Sequence, residues 1–201
     1  MKTLFFGIIA APLLLGAAQT FAADADGQFA IKGGGLQSCG AFAEAFKSKS
    51  DDLKLYGGWI EGYLTGQNQR LENTYDVTPW QTTTTMLGAM NSVCQNQPED
   101  TRFIDAFDLL VRTFIPSRLA KASSPVPLSY RGKSTLIYRD VLDLISNRLN
   151  QLGYENEVGD SGWSQGTSDA LEQFQEKADL PKTGFPDQRT LFVLFVTSLQ
   201  K

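Results

Sequence analysis

Apolar residues recur at three- and four-residue spacing along most of this chain. Leu53, Tyr56, Ile60, Tyr63 and Leu64 form one stripe, and Phe103, Phe107, Leu110 and Phe114 form another. Such spacing lines up side chains on one face of a helix, so helices are predicted at both places. Two more are expected in the same half, one over residues 36–46 and one starting at Thr78-Pro79, where Thr can cap and Pro suits the first helical turn. Between Pro116 and Thr135 the periodicity stops, and Pro116, Pro125, Pro127 and a Ser-rich stretch predict a linker. Beyond it Val141, Ile145, Leu149 and Leu152 make a stripe that ends at Gly153, a residue suited to the left-handed turn after a helix. Leu171, Phe174 and Ala178 make the next stripe, with Thr167 as its expected cap. A last helix is expected after Asp187, burying Leu191, Leu194, Phe195 and Leu199.

The fold class predicted is all-α: two small helical domains, residues 36–115 and 136–201, joined by a Pro/Ser-rich linker at 116–135. Ahead of them, residues 23–35 end in Gly33-Gly34-Gly35 and read as a flexible lead-in. Residues 1–22 read as an export signal, because Lys2 precedes an apolar run from Leu4 to Leu15 and then small residues. Cleavage is expected after Ala22, with Ala25 as the second choice. The strong run is shorter than the roughly 20 apolar residues a spanning helix needs; an uncleaved anchor is the alternative. Export to the periplasm changes the reading of Cys39 and Cys94, the only two cysteines. In an oxidising compartment such a pair forms one disulfide, here stapling the first predicted helix to the third. In the chain-entropy model a loop of this length contributes about 4 kcal/mol, so the bridge is expected to be structural.

Charge narrows the partners. The connector carries Arg118, Lys121, Arg131, Lys133 and Arg139 with no acidic residue from 116 to 139, while the net charge of the chain is −4. No basic face is expected on either domain, and nucleic-acid binding has no support. The chain contains no histidine. That excludes Ser-His-Asp and Cys-His nucleophile arrangements and zinc sites built on imidazole. Carboxylates alone can still cleave glycans, and Glu61, between Trp59 and Tyr63, is the one acid that suggests itself. Its place on a Gly-rich helix suits a solvent-side residue better. Gly58, Gly62 and Gly66 share a face of that helix and are expected to let a neighbouring helix pack closely.

From Val141 to Leu194 a set of ordered landmarks appears: Leu149-Asn150-Gln151-Leu152-Gly153-Tyr154, Asp160, Thr167, Phe174-Gln175, Leu180-Pro181, Gly184 and Thr190-Leu191. In this order they resemble the three-helix peptidoglycan-binding repeat found beside many cell-wall hydrolases. Ser161, Ser164 and Asp179 depart from it, standing where that family usually has glycines. The resemblance implies a groove at the turns, and an aromatic platform with amide or carboxylate partners suits glycans and peptide stems. Tyr154, Asp160, Trp163 and Gln175 are the candidate binding residues. In the first domain Cys39, the run Tyr56-Gly57-Gly58-Trp59-Ile60-Glu61-Gly62-Tyr63-Leu64-Thr65-Gly66, Cys94, Pro98 and Phe103 resemble, more weakly, small one-disulfide helical periplasmic proteins that include acid-stress chaperones and toxin-immunity proteins.

The expectation is therefore a non-catalytic periplasmic envelope protein that binds peptidoglycan through its C-terminal domain, without cofactor or metal. Two alternatives stand beside it. One is an immunity or chaperone-type protein that binds a periplasmic protein partner through residues 36–115, and the other a glycan-cleaving enzyme using Glu61.

Overall fold

Ser38 opens the first helix, α1 (Cys39–Ser48), by accepting a hydrogen bond from Ala41 N at 3.1 Å. The structure, a computed structural model, describes residues 23–24, 26–157, 159 and 162–197; the export signal, Ala25, Asp160, Ser161 and Leu199 lie outside them. Of the described residues, those up to Ile31 belong to one unit and those from Lys32 onward to another. Three further helices complete the first half: α2 (Asp52–Arg70), α3 (Thr83–Cys94) and α4 (Phe103–Phe114). The predicted stripe of α4 is its buried face, with Phe103, Phe107 and Phe114 at 0 % exposure. Rings from three helices interlock there. Phe42, Tyr56 and Phe103 stand 4.9 Å from one another, pair by pair, and Trp59 meets Phe103 edge-on at 5.6 Å. Each buried ring contributes roughly 1.5–3 kcal/mol by leaving water. Cys39 and Cys94 are joined across this core, tying α1 to α3 as expected.

Three local expectations for this half need correction. Helix α3 starts four residues later than Thr78-Pro79: Thr82 is its cap, accepting from Thr85 N at 3.2 Å. Residues 78–80 instead bend to bury Trp80. The lead-in does not extend to Gly35, because Gly33–Leu36 is a 3-10 turn packed on α2 and Trp59 Nε1 donates to Lys32 O at 2.8 Å. The glycine face of α2 is not a packing face. A Cβ at Gly58, Gly62 or Gly66 would meet nothing within 4 Å, whereas one at neighbouring Gly57 would sit 3.2 Å from Thr83 Cγ2.

The segment read as a linker is ordered. After a 3-10 turn at Ile115–Ser117, strand β1 (Pro125–Tyr130) pairs antiparallel with β2 (Lys133–Tyr138), Val126 opposite Ile137 and Leu128 opposite Thr135. Arg131 (φ 48°) and Gly132 (φ 77°) both take left-handed backbone in the two-residue turn, the geometry that matches strand twist in a hairpin. Pro125 and Pro127 are tolerated because each strand is an edge and misses few ladder bonds. Helix α5 (Arg139–Gln151) follows directly, then α6 (Gln165–Lys177) and α7 (Gln188–Phe195). The described residues are thus predominantly helical, seven α-helices with one small hairpin.

The C-terminal helices share their core with the first half. Trp80 lies 5.6 Å from the Phe195 ring and 6.1 Å from that of Phe114, and Phe114 lies 6.4 Å from Phe192. Gln188 at the start of α7 closes the seam: its Oε1 accepts from Thr82 N at 3.0 Å and Thr85 Oγ1 at 2.7 Å, and its Nε2 donates to Trp80 O.

Candidate functional site

The turn between α5 and α6 is held open by its own polar groups. Gly153 ends α5 in the left-handed region (φ 86°), as its position suggested. Asn156 then folds back onto the helix. Its N–H donates to Asn150 Oδ1 at 2.9 Å, its Nδ2 to Ser146 O at 3.2 Å, and its Oδ1 accepts from the Ser146 hydroxyl. At the other end Ser164 caps α6 by accepting from Thr167 N at 3.0 Å, while its own hydroxyl donates to Glu157 O at 2.8 Å. Ser164, and not Thr167, is therefore the cap; Thr167 sits three residues inside and is fully buried.

These two knots frame a cleft of about 770 Å³ lined by Asn150, Glu155, Asn156, Glu157, Gly159, Ser164, Gln165 and Gly166. Its side chains carry amide, hydroxyl and carboxylate groups set among apolar surface. Most donors are consumed within the wall, Asn150 Nδ2 by Asn156 O at 3.2 Å for example. Such a surface suits ligands that bring N–H and O–H groups of their own.

The four candidate binding residues are placed as follows. Tyr154 and Trp163 flank the cleft in sequence but do not line it. Tyr154 is half-buried with its ring edge-on to Phe174 at 5.9 Å, and Trp163 packs on the core with Nε1 donating to Ser168 Oγ at 2.8 Å. Gln175 is a correction, since it is 0 % exposed and has no surface to give a ligand. Its Oε1 accepts from Thr183 N (2.8 Å) and Gly184 N (2.9 Å), and its Nε2 donates to Thr190 Oγ1 (3.0 Å), Thr183 Oγ1 (3.1 Å) and Phe185 O (3.2 Å). The side chain organises the 183–185 loop. Asp160 lies outside the described residues. The cleft residues that sequence reasoning passed over are Glu155, Asn156, Glu157 and Gln165; the signal for them was an acid and amide run between a helix stop at Gly153 and a helix start at Ser164.

The first half has a different cleft, about 520 Å³ and largely apolar, lined by Gly33, Gly34, Gln37, Ala41, Ala45, Asp52, Leu55, Tyr56 and Trp59. Leu55 is 70 % exposed there. Glu61 lines neither cleft; it is exposed on α2, and its carboxylate accepts from the Thr83 hydroxyl. Nearby, burial and the Asp108 carboxylate push the Tyr63 hydroxyl up to about 12, so it remains a donor to Asp108 at 3.0 Å throughout the neutral range. Among the described residues no group of three or more Cys, Asp or Glu side chains could hold a metal ion, and no helix is long and apolar enough to cross a membrane.

Residues 140–194 match the model of the family described as "Putative peptidoglycan binding domain". The match spans nearly all of α5, the cleft, α6 and nearly all of α7. Neither a curated protein nor a solved structure matches the chain. The C-terminal region is thus similar to a peptidoglycan-binding domain over residues 140–194, whereas the resemblance drawn for residues 36–115 rests on its sequence pattern alone.

Proposed function

We propose that this protein is an exported envelope component that holds peptidoglycan in the cleft between α5 and α6 and does not cut it. The observation that carries the reading is the coincidence of the family match over residues 140–194 with a cleft inside that span. Acceptor-rich walls fit the amides and hydroxyls of stem peptides and glycans. Export to the periplasm is supported by the residue pattern of 1–22 and by the single Cys39–Cys94 disulfide. A non-catalytic role is supported by the absence of histidine and by the setting of Glu61, an exposed carboxylate engaged by Thr83.

The test is sedimentation of the full mature chain with insoluble peptidoglycan. Gly166 lines the cleft, and a Cβ there would come no nearer than 3.5 Å to Ser164 Oγ, an ordinary contact. Gly166→Met therefore fills the cleft without disturbing the core. It is expected to reduce binding at least tenfold, roughly the value of one blocked contact set at 1.4 kcal/mol per decade, with melting unchanged. Equal binding by wild type and Gly166→Met would place the ligand elsewhere. Release of soluble wall fragments by the wild type, abolished in Glu61→Gln, would overturn the non-catalytic reading.

A second reading has its own support. The apolar cleft beside the exposed Leu55 gives residues 36–115 a surface on which a protein partner could dock. Capture of one dominant periplasmic protein by the full chain, lost in Leu55→Glu, would favour it.

A further inference from the structure

The hairpin β1–β2 precedes the span of the family match, yet its tip is fastened to the domain. Arg131 pairs with Glu172 on α6, Lys133 lies over the Phe185 ring at 5.9 Å, and Tyr130 rests against Gly184. The last contact depends on glycine, because a Cβ at 184 would stand 2.9 Å from Tyr130 Cε1. One of these fastenings reaches the cleft. Gln165, a lining residue, donates from Nε2 to the Tyr130 hydroxyl at 3.0 Å and to Asp169 Oδ1 at 2.7 Å.

Both N–H groups of that amide are therefore used, and both by oxygens of the protein. A carboxylate such as Asp169 can only accept, so the reverse orientation of the amide would set oxygen against oxygen. No hydrogen bond among the described residues reaches Gln165 Oε1. The amide is thus held with its carbonyl oxygen free at the rim of the cleft, and these two bonds restrict its rotamers before a ligand arrives.

Resting on the peptidoglycan-binding reading above, we infer that Tyr130 is a positioning residue for that site: it fixes Gln165 so that Oε1 accepts an N–H or O–H of the bound wall polymer. The hairpin then belongs to the binding surface, and the functional unit is longer than the matched domain. The donor is either a glycan hydroxyl or an amide of the peptide stem, two sources of one chemistry.

The experiment is a double-mutant cycle on the full mature chain, measured by sedimentation with intact peptidoglycan and by melting. Tyr130→Phe keeps the ring on Gly184 and removes only the hydroxyl. It is expected to weaken binding about two- to fivefold, the range for one exposed neutral hydrogen bond, with melting unchanged. Gln165→Ala is expected to weaken binding at least as much, and Tyr130→Phe added to it should do nothing further. Undiminished binding by Tyr130→Phe, or full additivity of the two changes, overturns the inference while leaving peptidoglycan binding intact. A wild-type chain that ignores peptidoglycan overturns instead the reading on which the inference rests. Repeating the comparison with glycan strands stripped of stems and with free stem peptides locates the donor: the Tyr130→Phe penalty appears with the source that supplies it, and its absence from both overturns the inference.

Discussion

Around α4 the interior is made of rings, with Phe42, Tyr56, Trp59, Phe103 and Phe107 in mutual contact. Around α6 it holds Ser146, Thr167, Ser168, Gln175 and Thr190, none more than 2 % exposed; of the described buried polar residues only Ser117 lies in the other half. The two interiors are specified differently. Rings fill volume and tolerate small readjustments, because dispersion has little directional preference. A buried amide instead needs named partners at fixed distances, and removing it strands every one of them. The half that holds the cleft between α5 and α6 is thus the half whose loops are fixed by direction as well as volume, which keeps the acceptors around that cleft in place.

The largest predicted effect tests that contrast directly. Gln175→Leu keeps the volume but leaves Thr183 N and Gly184 N without their acceptor and Thr190 Oγ1 without its donor. At about 1–3 kcal/mol for each stranded group, a loss of about 4 kcal/mol is expected in urea denaturation. Phe107→Leu in the ring-built interior should cost only about 1–2 kcal/mol. If the two losses come out equal, the contrast between the interiors is wrong. Next in size is the disulfide. Cys39 and Cys94 are 55 residues apart, and replacing both by Ala should cost about 2–4 kcal/mol. A loss below about 1 kcal/mol would mean that the ring cluster alone sets the stability of the first half.

The same contrast explains what could be read from the sequence. Helices were legible wherever their apolar stripes were, as in α4, because burial imposes the spacing. Gln175 suggests a ligand partner because the resemblance places this amide near the groove, yet it lies four residues after Leu171 and three before Ala178, on the core face of α6. Its spacing was the truer signal. The hairpin was illegible because proline normally argues against strands and each strand offers only a few alternating residues, Val126, Leu128 and Tyr130 among them. The seam closed by Gln188 had no local signature at all, since its partners Trp80, Thr82 and Thr85 lie over 100 positions earlier. Of the cleft, the turn was located and its backbone landmarks were found, but the aromatic residues expected to form a platform are packed on the core, and the acids and amides beside them line the opening.

A smaller effect is expected at the edge of the cleft. Ser164 stands where the resembling family usually has glycine, and here it caps α6 and ties down Glu157 O. Ser164→Ala should cost about 1 kcal/mol, and Ser164→Gly only a few tenths from the cap itself. Because the bond to Glu157 O is lost in both, peptidoglycan binding should weaken in both, even where melting separates them. Equal melting of the two variants would show that the cap contributes nothing beyond the backbone preference.

The smallest effect has the opposite sign. Asp179, the other described departure from the family pattern, takes φ 55°, a left-handed backbone that L-residues avoid because Cβ crowds the carbonyl. Aspartate is among the residues that tolerate it best, so the strain is modest, and the surrounding turn holds it: Asp179 N donates to Glu176 O at 3.2 Å and Leu180 N to Gln175 O at 2.8 Å. Asp179→Gly removes the strain and keeps both backbone bonds. It also gives the unfolded chain more freedom, which offsets part of the gain. A net stabilisation of about 0.5 kcal/mol is expected, or a rise of about 1–2 °C in melting temperature for a chain of this size. Since the turn closes onto the Gln175 knot, the gain should vanish in a Gln175→Leu background, where that knot is already broken. A gain that persists there would show that Asp179 is strained independently of the polar interior, and the turn would then belong to the backbone rather than to the amide network that distinguishes this half of the protein.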